Sequence, residues 1–165
     1  MITTKQGEAT FFKQVKHLQN FGDLFDLQAT IAQKVKHDGL DAIITMTEEV
    51  IDAITSLPHE IPFIIQLLNS ILEYAKPNDE ITNRILNQFS KYTITRDQEQ
   101  IRNVALNILS EYRPKQIAPH LINIARDQTE SHSIRINALH CLRKAHPENA
   151  SLSLLFEIFE RYFIS

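Results

Sequence analysis

Ile101-Arg-Asn-Val-Ala-Leu-Asn-Ile-Leu-Ser-Glu-Tyr112 and Ile134-Arg-Ile-Asn-Ala-Leu-His-Cys-Leu-Arg-Lys-Ala145 carry one pattern at two places in the chain. In the first stretch Ile101, Val104, Ala105, Ile108, Leu109 and Tyr112 recur at intervals of three and four, so they fall on one side of a helix. That helix is expected from about Asp97 to Tyr112, with Thr95 and Gln98 spaced as a capping box and Pro114 ending it. In the second stretch Ile134, Ala138, Cys141, Leu142 and Ala145 share a face from about Ser133, and Pro147 ends the run. A shift of 33 residues lays Ile101-Arg102 on Ile134-Arg135, Ala105-Leu106 on Ala138-Leu139, Leu109 on Leu142 and Pro114 on Pro147. A period in the thirties in a helical sequence is the mark of stacked helix pairs, each too small to bury its own apolar face alone.

The same reading extends in both directions. Ile117, Leu121, Ile124 and Ala125 form the first helix of the pair completed by Ser133–Ala145, and Ile81, Ile85, Leu86 and Phe89 form the one before Asp97. Further upstream, Pro62 sits where a helix begins, and Ile61, Ile64, Ile65, Leu68, Leu72 and Ala75 give it a broad apolar face up to Pro77. Its partner is expected from about Thr47 to Leu57 through Val50, Ile51 and Ile54. Two helices, about Glu8 to Leu18 and Asp23 to Lys36, precede these, and a last one runs from Leu152 to Ile164. With only three glycines and no period-2 alternation, the sequence offers nothing for a sheet.

Ile117-Ala-Pro-His-Leu-Ile-Asn-Ile-Ala-Arg-Asp127 followed by Ser133-Ile-Arg-Ile-Asn-Ala-Leu-His-Cys-Leu142 resembles the two helices of a HEAT repeat. The set Ile81 to Asp97, Ile101-Arg102, Ala105 and Leu109 is similar, so the resemblance is clearest over residues 81–147. It implies an all-α, right-handed α-solenoid of HEAT-like helix pairs, with about eight to nine helices over the whole chain. On that basis residues 1–165 form a single domain: capping helices over 1–40, a weak repeat over 41–77, HEAT-like repeats over 78–114 and 115–147, and a C-terminal helix over 148–165. The resemblance also assigns roles. Arg102 and Arg135 stand where a HEAT arginine bonds a turn aspartate, and Asp97 and Asp127 are the expected acceptors.

Charge divides the chain more sharply than its net value of −3 suggests. Residues 1–80 carry 6 Lys/Arg against 12 Asp/Glu, whereas residues 81–165 carry 11 against 8. No lysine or arginine falls between Lys36 and Lys76. Asp41, Glu48, Glu49, Asp52 and Glu60 lie in that interval, and they are the candidate docking residues for a protein with a basic surface. A stripe of like charges also serves plain solubility, and the spacing alone does not separate the two roles.

Catalytic and metal constellations fail one by one. His59-Glu60 opens like a zincin helix, but Phe63 stands where the second histidine belongs. His132 and His140 are about 12 Å apart along a helix axis, too far to share one ion. There is no glycine-rich phosphate loop and no Gly-x-Ser-x-Gly elbow, so neither catalytic residues nor a cofactor nor a metal is expected. Lone Cys141 cannot bridge internally and reads as a small core residue. The first residues lack the apolar core of a secretory signal and no stretch is apolar enough to span a bilayer, so a cytoplasmic protein without membrane contact is expected.

Three functional readings follow from these residues. A small acidic binding protein suits a stoichiometric inhibitor, such as a bacterial immunity protein that blocks a basic toxin nuclease. An adaptor or scaffold within a larger complex is the second. The third is nucleic-acid binding through Arg84, Arg96, Arg102, Arg113, Arg126, Arg135 and Arg143, disfavoured by the overall negative charge and by the structural use expected for Arg102 and Arg135. The last helix, with Leu152, Leu154, Leu155, Phe156, Ile158, Phe159, Phe163 and Ile164, is expected either to wrap against its neighbours or to pair with a second copy of the chain.

Overall fold

A computed structural model describes residues 11–56, 61–145, 156–157 and 160. Among the described residues every regular element is helical: α1 (residues 11–16), α2 (Phe21–Asp38), α3 (Asp41–Ser56), α4 (Ile61–Ala75), α5 (Asp79–Tyr92), α6 (Glu99–Tyr112), α7 (Pro114–Arg126) and α8 (His132–Ala145). The fold class is therefore all-α, built of helix pairs as the sequence expects. The chain divides into two compact units, Met1–Gln88 and Phe89–Ser165, with the boundary inside α5.

In the first unit α2, α3 and α4 all pack on one another. Leu24, Leu27 and Ile31 of α2 meet a core supplied by Ile43, Met46, Val50 and Ile54 of α3 and by Ile64, Leu67, Leu68 and Ile71 of α4, all buried. Each such side chain contributes about 1.5–3 kcal/mol on removal from water, so this apolar seam is the main cohesive force. Two ties fix the direction of α2 against α4. Gln28 Nε2 donates to Ser70 Oγ at 3.0 Å, and the rings of Phe21 and Phe63 meet edge to face at 5.1 Å. Both ties join residues 42 apart, so the two helices run parallel, with α3 returning between them.

The starts of these helices follow from local chemistry. Asn20 caps α2 by accepting from Asp23 N at 2.9 Å, while the Asp23 carboxylate accepts from Gln19 N at 3.1 Å. Gly39, at φ 73, stops it, a conformation that costs glycine nothing and other residues appreciably. Helix α3 begins six residues before the Thr47 expected from sequence, because Ala42, Ile43 and Met46 extend the apolar face of Val50 and Ile54 back by two turns. The capping box expected at Thr95 and Gln98 does not form: Gln98 occupies the cap position without a side-chain bond, and Gln98 N donates instead to the Thr95 carbonyl.

In the second unit α6 and α8 are neighbours and α7 packs against both. Asn103 to Asn137 and Glu111 to Lys144 again join residues at a near-constant separation, so α6 and α8 are parallel. Pro114 opens α7 at its first turn, where no amide hydrogen is needed. Ser131 caps α8 by accepting from Ile134 N at 3.2 Å. Cys141 is fully buried with its Sγ 3.8 Å from Asn137 Oδ1, and burial raises its thiol pKa above the ordinary value, as befits an inert core residue. The expected C-terminal helix, and with it the homodimer contact assigned to it, lies outside the described residues except for 156–157 and 160, where Phe156 is exposed.

Candidate functional site

The acidic residues expected to dock a partner sit on α3 with one exception. Asp41, Glu48 and Asp52 are exposed, and their spacings of seven and four place them along one side of the helix. Asp41 also lies in the first turn, where a negative charge is stabilised by the helix dipole. Glu49 is half-buried, turned toward the packed side, and it contributes less to an outward face. Glu60 lies outside the described residues, as does His59. The helix contains no lysine or arginine, so no cation within α3 offsets this stripe.

A second surface in the same unit has no counterpart in the sequence reading. Phe21 and Phe25, exposed to 57% and 63%, stand one helical turn apart on α2, with ring centroids 6.5 Å from each other. Phe63, on α4, closes the group against Phe21. The signal was present in the sequence: Phe21 and Phe25 recur at i, i+4, but out of phase with the buried Leu24, Leu27 and Ile31.

The second unit spends its charged residues on internal bracing. Arg102, 4% exposed, places Nη1 and Nη2 at 2.8 Å from the two carboxylate oxygens of Glu130, itself 5% exposed. Its Nε donates to the Thr93 carbonyl at 2.7 Å, just past the end of α5. Arg135 repeats the second half of this arrangement, with Nε donating to the Ala125 carbonyl at 3.2 Å near the end of α7. Each arginine thus ties the closing carbonyls of the preceding helix, groups that the helix itself leaves unbonded.

The acceptors differ from those expected. Asp97 is exposed, and Arg102 takes Glu130, which stands 33 residues after Asp97 at the equivalent point of the next repeat. The ion pair crosses from one repeat to the next. Asp127 serves its own turn, accepting from Thr129 N at 2.9 Å and Thr129 Oγ1 at 2.6 Å, and it receives Arg96 Nη2 at 3.1 Å. Those Thr129 bonds, with the Arg96 charge beside them, hold its carboxyl below the ordinary carboxylate range. Arg96 also approaches Glu130 at 3.4 Å, so two cations and two anions balance within the cluster.

Between α6 and α8 runs an amide network. Asn107 Nδ2 donates to Asn137 Oδ1 at 3.1 Å and to the Asn103 carbonyl at 2.8 Å, and Asn137 Nδ2 donates to Asn103 Oδ1 at 2.9 Å. Of the arginines that raised the nucleic-acid reading, Arg102 and Arg135 are buried, Arg96 is ion-paired, and Arg84, Arg126 and Arg143 are exposed. Among the described residues no group of three His, Cys, Asp or Glu side chains is placed to hold a metal, and no helix is long and apolar enough to cross a membrane.

Helix pairs joined by short turns, with parallel second helices and arginines tying each turn, define a helical-repeat protein. A family model described as the vitellogenin TPR domain matches residues 78–161, just over half of the chain, and the chain belongs to that family. The HEAT-like resemblance and this match cover nearly the same span, and they agree on the repeated helix pair. No curated protein and no solved structure matches the chain. Helical-repeat domains of this kind point to protein interaction or scaffolding.

Proposed function

We propose that the chain is a non-catalytic protein-binding module that docks a basic protein through the acidic side of α3, with Asp41, Glu48 and Asp52 as the steering charges. The observation that carries this reading is a 16-residue helix with no cation, presenting exposed carboxylates along one side. Such a field raises the encounter rate with a basic surface and repels nucleic acid. In its most concrete form the module is a stoichiometric inhibitor, such as a cytoplasmic immunity protein that neutralises a basic toxin nuclease; the acidity of the first unit supports that form over a general scaffold.

The test is co-purification from the native cell, followed by stopped-flow association with the captured species. One basic protein bound at unit stoichiometry supports the inhibitor. For Glu48→Lys with Asp52→Lys, helicity stays unchanged and association slows by about tenfold at low salt, converging with the wild type as salt screens the field. Association rates unaffected by the two substitutions would remove α3 from the site. Several weak partners would favour a scaffold.

A further inference from the structure

We propose that the seam between α2 and α4 is the anchoring groove of the partner site, and that its occupant is an apolar protein segment with lysine or arginine beside one or two large apolar side chains. This rests on the protein-binding reading above and adds the residues that hold the partner once the acidic face has steered it in.

Helix α2 carries two apolar stripes. Leu24, Leu27 and Ile31 are buried, while Phe21, Phe25, Ala29 and Ala32 are exposed and recur at i, i+4, i+8 and i+11. At 100° per residue the centres of the two stripes lie about 120° apart, so the second is not the fringe of the first. Folding accounts for one stripe only. The exposed one begins with two phenylalanines and continues with two alanines, a profile of raised aromatic walls followed by low ground.

Helix α4 supplies the facing wall. Phe63, Ser70 and Tyr74 recur at i, i+7 and i+11, hence on one side, and the Phe21–Phe63 and Gln28–Ser70 contacts identify that side as the one toward α2. Tyr74 is 39% exposed. The seam therefore presents aromatic carbon at one end, an amide–hydroxyl bridge in the middle and a phenol ring at the other. Large exposed aromatic rings already held in edge contact lose little conformational freedom on binding, which is the property of interface hot spots.

Charge selects the occupant. Within α3 and α4 there is no lysine or arginine, and the described residues of the first unit carry ten carboxylates against six basic side chains. The chain returns from the C-terminal turn of α3, bearing Asp52, through four residues to the start of α4 at Ile61, two residues before Phe63. The acidic and aromatic features thus share one end of the unit. A segment with apolar anchors and flanking cations satisfies both, whereas an acidic segment is repelled.

The probe is a synthetic amphipathic Leu/Lys helix of about four turns, titrated into the full chain while the aromatic ring signals of Phe21, Phe25 and Phe63 and the backbone amides of α3 are followed by NMR. Saturable shifts of the three rings are expected, with Phe25→Ser weakening binding by about 30-fold, the loss typical of an aromatic hot spot. The buried Phe11 ring reports that the variant stays folded, and the wild-type ring shifts decide the matter if it does not. Shifts confined to α3 would overturn the groove and leave the acidic docking reading standing. No shift anywhere would overturn both. Equal shifts with a Leu/Glu peptide would overturn the choice of a basic occupant.

Discussion

The two units use their second-helix seams in opposite ways. Between α6 and α8 the seam is closed by side chains bonded to one another: Asn103, Asn107 and Asn137 exchange hydrogen bonds, and below them Arg102 grips Glu130 across the repeat boundary. Between α2 and α4 a single Gln28–Ser70 bond spans the seam, and its open edge is aromatic. Buried polar groups are costly unless fully paired, so the second arrangement of residues commits that unit to one geometry. An exposed phenylalanine commits a fold to nothing. The comparison separates residues that hold the repeat together from residues left over for a partner, and it does so along the same boundary that separates the basic half of the sequence from the acidic half.

Breaking the brace is expected to have the largest effect. Glu130→Ala leaves the Arg102 guanidinium buried without its fork and destabilises the protein by about 3–5 kcal/mol, read from urea unfolding. Replacing both partners, Arg102→Met with Glu130→Leu, recovers most of that loss, because what costs is the orphaned charge and not the absence of the pair. A double variant as unstable as Glu130→Ala would show that the pair itself supplies the stability.

Next comes the amide network, where Asn137→Ala strands acceptors and donors on Asn103 and Asn107 and costs about 1–3 kcal/mol. The corresponding change in the first unit, Phe25→Ser, stays within about 0.5 kcal/mol of the wild type, since a side chain 63% exposed buries little. A comparable loss at both sites would erase the distinction between the seams.

The smallest effect is a pH dependence. Because the Thr129 hydrogen bonds lower the folded pKa of Asp127, the carboxylate contributes stability above the unfolded value of about 3.9 and loses it as pH falls through the folded one. Asp127→Asn therefore flattens the acid limb of the stability profile slightly and leaves neutral pH nearly unchanged, because its position at the surface screens the charge.

Much of this was legible in the sequence because the physics involved is periodic. The repeat offset found α6 and α8, and the apolar spacing found α2, α4, α5 and α7 to within a few residues. Arg102 and Arg135 stood out by position, and both tie turns. What the sequence could not supply was the partner of an arginine. Asp97 was the near acceptor in the chain, while Glu130 is the near acceptor in space, and only packing decides between them. The start of α3 was missed because Ile43 and Met46 were not joined to the phase of Val50. The aromatic group was missed for a different reason: Phe21 and Phe25 merge in sequence with a generally apolar helix, and their separation from Leu24 and Leu27 appears only when α4 shows which side is covered.

Photocrosslinking in the native cell tests the central claim most directly, with a benzophenone amino acid placed at Phe25 in one variant and at Ile136, the 50%-exposed residue of α8, in another. One dominant adduct from position 25, to a basic protein, with none from position 136, is the result expected if the first unit binds and the second braces. Adducts from position 136 with none from position 25 would contradict it.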